Sequence, residues 1–500
     1  MKVCVALAEP TTAAVAARMA ELAPWADLFE VRADHVSDLD LPALLRARTK
    51  PILFTCRSDA EGGRSPGRDA SARRLLLREA VELGFDLVDV EARSGFDDVA
   101  SAKAGRGLVL SWHDTEGTPD DLDAIYERLV AARPDVVKIA VTARSVRDLG
   151  RVLALAARHA LDEAPRLVAI AMGPLGVASR ILGGRYNAPF GFASSASGRG
   201  TAPGQLTAPV LVDAYRVRSI GRDTRVYGLL GSDVQRSLSP AIQNRAFAER
   251  GIDAVYVPLQ AESMEAFTDA LPALGLSGWS VTRPYKGAIL GQLDSVTPQA
   301  AEAGSANTVV AQDDRLVGLS TDGDGVLVPL RRRIDPAGRC VAILGAGGAA
   351  RAAAFALVRA GARVVVLARR AEQAREVAAA TSAGSAGGLD ELGRVPYDVL
   401  VNATPLGSGG FPGESPAPPS ALRSGSVVFD RVYEPRETPL LAAARARGCA
   451  TIDGVEMLVA QAVGQFEAWS GVAAPVEAMT AAALDAIEAA RVPAAAEALS

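Results

Sequence analysis

Eight short apolar runs, at residues 3–7, 28–32, 52–56, 87–91, 108–112, 136–141, 167–172 and 189–193, alternate with stretches of helical periodicity such as 70–83 and 122–132. A run that is apolar throughout is a strand covered on both faces, and parallel sheets get that cover from crossover helices. Strand and helix repeated eight times predict a (β/α)8 barrel, with an open doubly wound sheet as the structural alternative. Either way the class is α/β.

The chain is too long for one barrel, since 500 residues at roughly 150 per domain suggest about three domains. A helix is expected over 206–220, followed by a polar break at Gly221-Arg222-Asp223-Thr224. A new strand starts at Arg225, and Ser237-Leu238-Ser239-Pro240 opens a new helix with Pro240 in the favoured first turn. The expected organisation is a barrel over 1–221, an α/β substrate domain over 222–335, a Rossmann domain over 336–452 and completing helices over 453–500.

Composition narrows the partners. The formal net charge is −5 and the basic residues are scattered, which argues against a nucleic-acid ligand. Cys4, Cys56, Cys340 and Cys449 are far apart with no metal-ligand spacing, so free thiols in a reducing compartment and no metal are expected. Glu9-Pro10 interrupts the apolar start early, which reads as a strand rather than a signal peptide. No apolar run is long enough to span a bilayer. Small-molecule substrates, no membrane and a cytoplasmic location are therefore expected; the oligomeric state is open.

Polar residues at the strand ends carry the chemistry. Glu30 and Arg32 lie near the end of the second run, Arg57 after the third, His113 after the fifth, Lys138 within the sixth and Arg180 after the seventh. In a barrel these ends converge on one pocket. Lys138 sits between Val137 and Ile139, where a buried lysine needs a partner or a task. Desolvation and neighbouring cations would make it a nucleophilic amine; a lysine reaching solvent at the strand end is the plainer alternative. His113 reads equally as a general base or as a hydrogen-bonded loop residue, and the arginines suit a carboxylated substrate.

Taken in order, Phe29-Glu30-Val31-Arg32-Ala33-Asp34, Cys56-Arg57 with Glu61-Gly62-Gly63, Ser111-Trp112-His113-Asp114, Val137-Lys138-Ile139-Ala140, Met172-Gly173 with Ser179-Arg180, and Ala202-Pro203-Gly204-Gln205 resemble the type I 3-dehydroquinate dehydratases. The resemblance spans nearly all of 1–220. It implies that Lys138 forms an imine with the substrate ketone, that His113 shuttles the proton, and that Glu30 steadies the histidine region. It further implies that Arg180 binds the carboxylate and that Arg57, Arg32 and Gln205 contact hydroxyls. Thr201 stands where a serine is common and keeps the hydroxyl.

The second half carries a dinucleotide signature. An apolar strand at 341–344 leads into Gly345-Ala346-Gly347-Gly348-Ala349-Ala350 and an Ala-rich helix. Glycines there allow a tight turn and close approach of pyrophosphate to a helix N-terminus. The next strand ends in Ala368-Arg369-Arg370 with no acidic residue, which favours the 2′-phosphate of NADP over NAD.

Ser237-Leu238-Ser239-Pro240, Thr282 with Pro284-Tyr285-Lys286, Ala306-Asn307-Thr308, Thr321-Asp322-Gly323, Asn402-Ala403-Thr404-Pro405, and Gly454 with Met457 and Gln461 make this half similar to the shikimate dehydrogenases. The resemblance implies Lys286 and Asp322 as the catalytic pair. Ser237, Ser239, Thr282, Asn307 and Gln461 would hold substrate, and Gly345, Ala346, Gly347, Gly348, Ala349, Arg369, Arg370, Asn402, Thr404 and Gly454 would hold NADP. Arg236, Gln243 and Ser320 depart from the family pattern and bear on substrate preference. Together the halves imply dehydration of 3-dehydroquinate followed by NADPH-dependent reduction to shikimate. The alternatives are an NAD-dependent oxidation of quinate or shikimate and a non-catalytic metabolite sensor.

Overall fold

The computed structural model describes residues 1–64, 69–101, 107–196 and 200–497, with side chains through residue 489. The chain forms two compact units, Met1–Pro240 with Asp253–Leu276, and Ala241–Ile252 with Ser277–Ser500.

The first unit contains eight parallel strands, β1 (Lys2–Leu7), β2 (Leu28–Arg32), β3 (Ile52–Thr55), β4 (Leu87–Glu91), β5 (Gly107–Asp114), β6 (Val136–Thr142), β7 (Arg166–Met172) and β8 (Phe190–Ser194). They run in ring order, and β8 returns to pair with β1. Among the described residues no ladder joins β7 to β8. The barrel expectation holds, and the open doubly wound sheet does not.

Period-two alternation sorts the interior. Cys4, Leu28, Leu53, Val109, Val136, Val168 and Phe190 form a buried apolar layer. Two residues further along, the same faces present Glu30, Asp89, Ser111 and Lys138, all buried. Polar groups thus crowd the upper half of the barrel and rest on a hydrophobic floor.

Two local expectations change. The helix expected over 206–220 is a single π-helical turn, Val210–Ala214, and the chain turns at Arg216, where φ is 51°. Burial of Leu211, Val217 and Ile220 against the barrel, rather than helical periodicity, sets this path. His113 lies inside β5 rather than after it, because the strand extends to Asp114.

The same unit holds the parallel pair β9 (Arg225–Gly231) and β10 (Ala254–Gln260). It also holds the helix Met264–Leu274, which lies close against the helix Val146–Arg158: a Cβ on Gly150 would stand 3.2 Å from that of Ala270.

In the second unit, β11 (Leu276–Val281), β12 (Ser295–Val296), β13 (Thr308–Gln312) and β14 (Arg315–Leu319) form a mixed segment, with β13 antiparallel to both β11 and β14. Its Rossmann sheet comprises β15 (Cys340–Leu344), β16 (Arg363–Ala368), β17 (Ser385–Gly388), β18 (Val399–Asn402), β19 (Val427–Asp430) and β20 (Ala450–Ile452). The order β17-β16-β15-β18-β19-β20 reverses direction between β15 and β18, where such sheets bind nucleotides. The chain after Gly448 forms β20 before the expected helices begin at Gly454. The Ala-rich end is helical through Glu497.

Candidate active sites

The barrel mouth encloses a cavity of about 240 Å³ lined by Glu30, Arg32, Arg57, Glu61, His113, Lys138, Arg180, Thr201 and Gln205 among others. Lys138 is 6% exposed, and its Nζ stands 3.4 Å from Asp89 Oδ2, 3.8 Å from Glu30 Oε1 and 4.2 Å from the centre of the Phe192 ring. Two carboxylates face it, and Arg57 shares Asp89 Oδ2 with it, so the cation expected beside the lysine comes with counter-charges. The solvent-pointing alternative is excluded by its burial.

His113 Nδ1 lies 2.9 Å from Glu61 Oε2. Burial, reinforced by Arg57, Lys138, Arg32 and Arg93, holds the imidazole well below its usual value, so it is neutral at pH 7. Burial and then repulsion from Glu91 push the Glu61 carboxyl up to about 7. Glu30 does not reach the histidine as expected. Its Oε1 accepts from Thr55 and faces Lys138. Residues on β2 lie across the barrel from His113, whereas the turn after β3 brings Glu61 to it.

The arginines divide by partner. Arg32 makes a two-pronged pair with Asp34 at 2.9 and 2.7 Å. Arg57 donates to Ser111 at 2.8 Å and to Asp89 at 2.7 Å. Arg180 donates to the Pro203 carbonyl at 3.0 Å, but its Nε is buried with no acceptor among the described residues. Burial alone lowers Arg180 to about 10. A buried guanidinium with an open donor is a ready carboxylate site.

The loop that holds this arginine depends on glycine. Gly204 has φ 74°, and a Cβ there would lie 2.5 Å from the Gly173 carbonyl oxygen. In the same loop Gln205 Oε1 accepts from the Thr201 N–H at 2.7 Å. His35 and His159 stand apart: His35 Nε2 is 3.6 Å from Asp34, and His159 stacks on Tyr126.

Sequence reasoning assigned no role to Glu61, Asp89 or Glu91. The signal was present for the last two: Leu87-Val88-Asp89-Val90-Glu91 alternates within a buried strand, so both carboxylates share one face with Leu87.

In the second unit Lys286 Nζ lies 2.6 Å from Asp322 Oδ2. Asn307 Nδ2 donates to Asp322 Oδ1 at 3.1 Å, while its Oδ1 accepts from the N–H of Thr321. Burial pushes the Asp322 carboxyl up, but Lys286, Arg431 and Asn307 outweigh it and hold the group below the usual carboxylate value. Gln461 accepts from Thr321 through its backbone carbonyl. Thr282 is half-buried and precedes the turn to Tyr285. Gln243 is fully buried and donates to the Ala462 carbonyl, so it serves packing.

The dinucleotide signature has the shape such a ligand requires. Gly345 has φ 115°, and a Cβ would crowd Ala403 and Thr404 at 3.2 to 3.3 Å. Gly347 and Gly348 begin the helix Gly348–Arg359 and have open space where a Cβ would be, with Ala346 and Ala349 beside them. Arg369 and Arg370 are exposed at the end of β16, and no ion pair is found for either among the described residues. Asn402 is fully buried; it bonds Asp430 and accepts from Thr404, so it shapes the loop beneath Thr404. Gly454 packs on the Val432 carbonyl, where a Cβ would meet oxygen at 2.4 Å. These features fit a phosphorylated dinucleotide.

The fold and sites define an α/β enzyme with two active centres, a lysine-bearing barrel and a Rossmann dehydrogenase. The sequence is 36% identical over 481 residues to the chloroplastic bifunctional 3-dehydroquinate dehydratase/shikimate dehydrogenase of Arabidopsis thaliana, covering 90% of this chain and 79% of the relative. The chain belongs to the bifunctional 3-dehydroquinate dehydratase/shikimate dehydrogenase family.

Family profiles agree segment by segment. Type I 3-dehydroquinase matches 3–222, the shikimate dehydrogenase substrate binding domain matches 229–309, and the shikimate 5′-dehydrogenase C-terminal domain matches 454–484. The shikimate dehydrogenase (NADP+) of Moorella thermoacetica is 44% identical over 271 residues, 51% of this chain and 91% of the relative. A crystal structure of a shikimate dehydrogenase in complex with NADP+ aligns at a TM-score of 0.50 and 34% identity, covering 53% of this chain and 96% of the other. Among the described residues no helix is long and apolar enough to cross a membrane.

Proposed function

We propose that the two centres act in succession on one carbon skeleton, with Lys138 and His113 performing the dehydration and Lys286 and Asp322 the reduction. The chain is a 3-dehydroquinate dehydratase and an NADP-dependent shikimate dehydrogenase. The residue roles are our reading, and the Lys138–Asp89–Glu30 and His113–Glu61 groupings in one buried cavity carry it.

In the barrel, Lys138 Nζ adds to the substrate ketone, and loss of water leaves an iminium on the lysine. The lysine attacks as the neutral amine, the carbinolamine oxygen takes up a proton before leaving as water, and the iminium charge then stands between the Asp89 and Glu30 carboxylates. Neutral His113 takes the proton from the adjacent carbon through Nε2, while Glu61 holds Nδ1. The same histidine returns the proton to the departing hydroxyl. Water then hydrolyses the imine and frees Lys138. Arg180 takes the carboxylate, and Arg57, Arg32, Thr201 and Gln205 order the hydroxyl end.

In the dehydrogenase half, bound NADPH supplies the hydride. Lys286 is assigned to protonate the developing alkoxide, and Asp322, bonded by Asn307, to orient Lys286 Nζ. Thr282 and Gln461 are assigned to substrate, as are Ser237 and Ser239, whose assignment rests on sequence resemblance alone. The turn around Gly345, Gly347 and Gly348, with Thr404 and Gly454, is assigned to the pyrophosphate and nicotinamide portions. Arg369 and Arg370 are assigned to the 2′-phosphate. The sequence boundaries at 221, 335 and 452 are kept as the proposed functional divisions. The small molecules of these two reactions are the proposed partners.

The test supplies purified protein with 3-dehydroquinate and NADPH and follows loss of the reduced-nicotinamide absorbance. Oxidation with shikimate as product is expected. Oxidation with 3-dehydroshikimate but not with 3-dehydroquinate would remove the role given to the barrel. Faster turnover with shikimate and NAD+ than with NADP+ would favour the catabolic reading.

A further inference from the structure

Arg431 directly follows β19, at the carboxyl edge of the dinucleotide-binding sheet, and its backbone N–H donates to the Asn402 carbonyl at 3.3 Å. Nothing in the mechanism above uses its side chain. Nε lies 2.9 Å from the sulfur of Met457, a weak acceptor. Nη1 is shut off from solvent and has no acceptor among the described residues.

The carboxylates close by are already engaged. Asp430 accepts from Asn402, from the Val432 N–H and from Thr438. Asp322 accepts from Lys286 and Asn307. Arg431 is nonetheless near the Asp322 helix: Gly325, in the first turn of the helix Asp322–Arg331, packs on Met457, the residue whose sulfur Arg431 Nε meets, and Asp322 offsets part of the lowering that burial imposes on the guanidinium. The segment is held in place because Gly454 packs directly on the Arg431 and Val432 carbonyls. A guanidinium that no carboxylate bonds keeps a charge that acts on whatever enters beside it.

We infer that Arg431 is a specificity-determining cation that sets the redox-state preference of the reductase for its dinucleotide, favouring the reduced, neutral nicotinamide over the oxidised, cationic one. The inference rests on reading Lys286 and Asp322 as the reductase pair. A ring that exchanges hydride with a carbon held at Lys286 comes within the charge environment that Asp322 shares with Arg431. Charges there are screened weakly compared with bulk water. The ring becomes positive when it gives up hydride, so Arg431 repels only that form. The adenine, ribose and phosphates are common to both forms. Their contacts, including any to Arg369 and Arg370, cancel when the two affinities are compared as a ratio. The arrangement helps expel the oxidised dinucleotide after turnover and biases the bound equilibrium toward the reduced form.

The test measures dissociation constants of NADP+ and NADPH for the full chain by calorimetry, without carbon substrate. In Arg431→Met, the ratio of the NADP+ constant to the NADPH constant is expected to fall about tenfold, because the oxidised form binds more tightly. Arg431→Lys keeps the charge and should hold the wild-type ratio within about threefold. If Arg431→Met does not fold, Arg431→Gln is the neutral variant, read in the same way. An unchanged ratio overturns the inference, as does equal weakening of both forms, the result expected from lost packing alone. If the wild-type protein bound neither dinucleotide, the reductase reading would fall together with it. Tight binding with an unchanged ratio would overturn the role of Arg431 alone.

Discussion

His113 Nδ1 and Glu61 Oε2 stand 2.9 Å apart inside the barrel, a hydrogen bond whose donor is set by the histidine tautomer and the glutamate charge. Burial and surrounding cations keep the imidazole neutral, while burial and Glu91 raise the carboxyl to about 7. The titration that matters near neutrality therefore belongs to the glutamate side of the pair. When Glu61 ionises it accepts a hydrogen bond from Nδ1–H, which leaves the Nε2 lone pair free as a base.

Dehydratase kcat should accordingly rise across about pH 7. Glu61→Gln keeps a hydrogen-bonding partner but loses the charge. It should flatten that rise and lower kcat by roughly 10- to 100-fold. A pH–rate profile of the variant checks this; an inflection that survives the substitution belongs to another group.

Lys138→Ala should lower dehydratase turnover by more than about 10⁴-fold and leave reduction of 3-dehydroshikimate near wild type. Lys286→Ala should do the reverse. Borohydride treatment in the presence of 3-dehydroquinate should add mass to the wild-type barrel and none to the Lys138 variant. Loss of both activities from either substitution in a folded protein would refute the assignment of two independent centres.

The Lys286–Asp322 contact predicts an acid-side stability effect. The folded carboxyl is held below its ordinary value, so its stabilisation is present above the unfolded value of 3.8 and is lost as pH falls through the folded value. Asp322→Asn should destabilise the reductase half by about 1–3 kcal/mol at pH 7. The gap between wild type and variant should narrow below about pH 4 in denaturant titrations. A constant gap would mean that the loss comes from packing.

Arg369 and Arg370 should decide between the two dinucleotides. Replacing both with alanine should raise the KM for NADPH by about 10- to 100-fold, the effect of losing charge-assisted bonds to a phosphate, while NADH kinetics stay nearly the same. Parallel assays with the two cofactors read this directly. Equal losses for both would place the arginines elsewhere on the cofactor or in the fold.

The sequence alone determined the order of elements, because burial on both faces of each barrel strand leaves apolar runs that no surface strand could tolerate. It also located Lys138, whose charge interrupts such a run, and the Gly345–Gly348 turn between a strand and a helix. Sequence spacing is a local quantity, and it follows only groups that one element brings together. Which groups touch across the barrel was decided by the parallel register of neighbouring strands and by the turn after β3. These placed Glu61 rather than Glu30 on His113, and set Asp89 and Glu30 beside Lys138. The π-helical turn at Val210–Ala214 has the same origin: apolar spacing suggested a longer helix, but burial of Val217 and Ile220 redirected the chain. Arg431 looks like any arginine after a strand until the fold shuts its Nη1 off from solvent with no acceptor among the described residues. Desolvation depends on every neighbour in space, and only the tertiary structure supplies those neighbours.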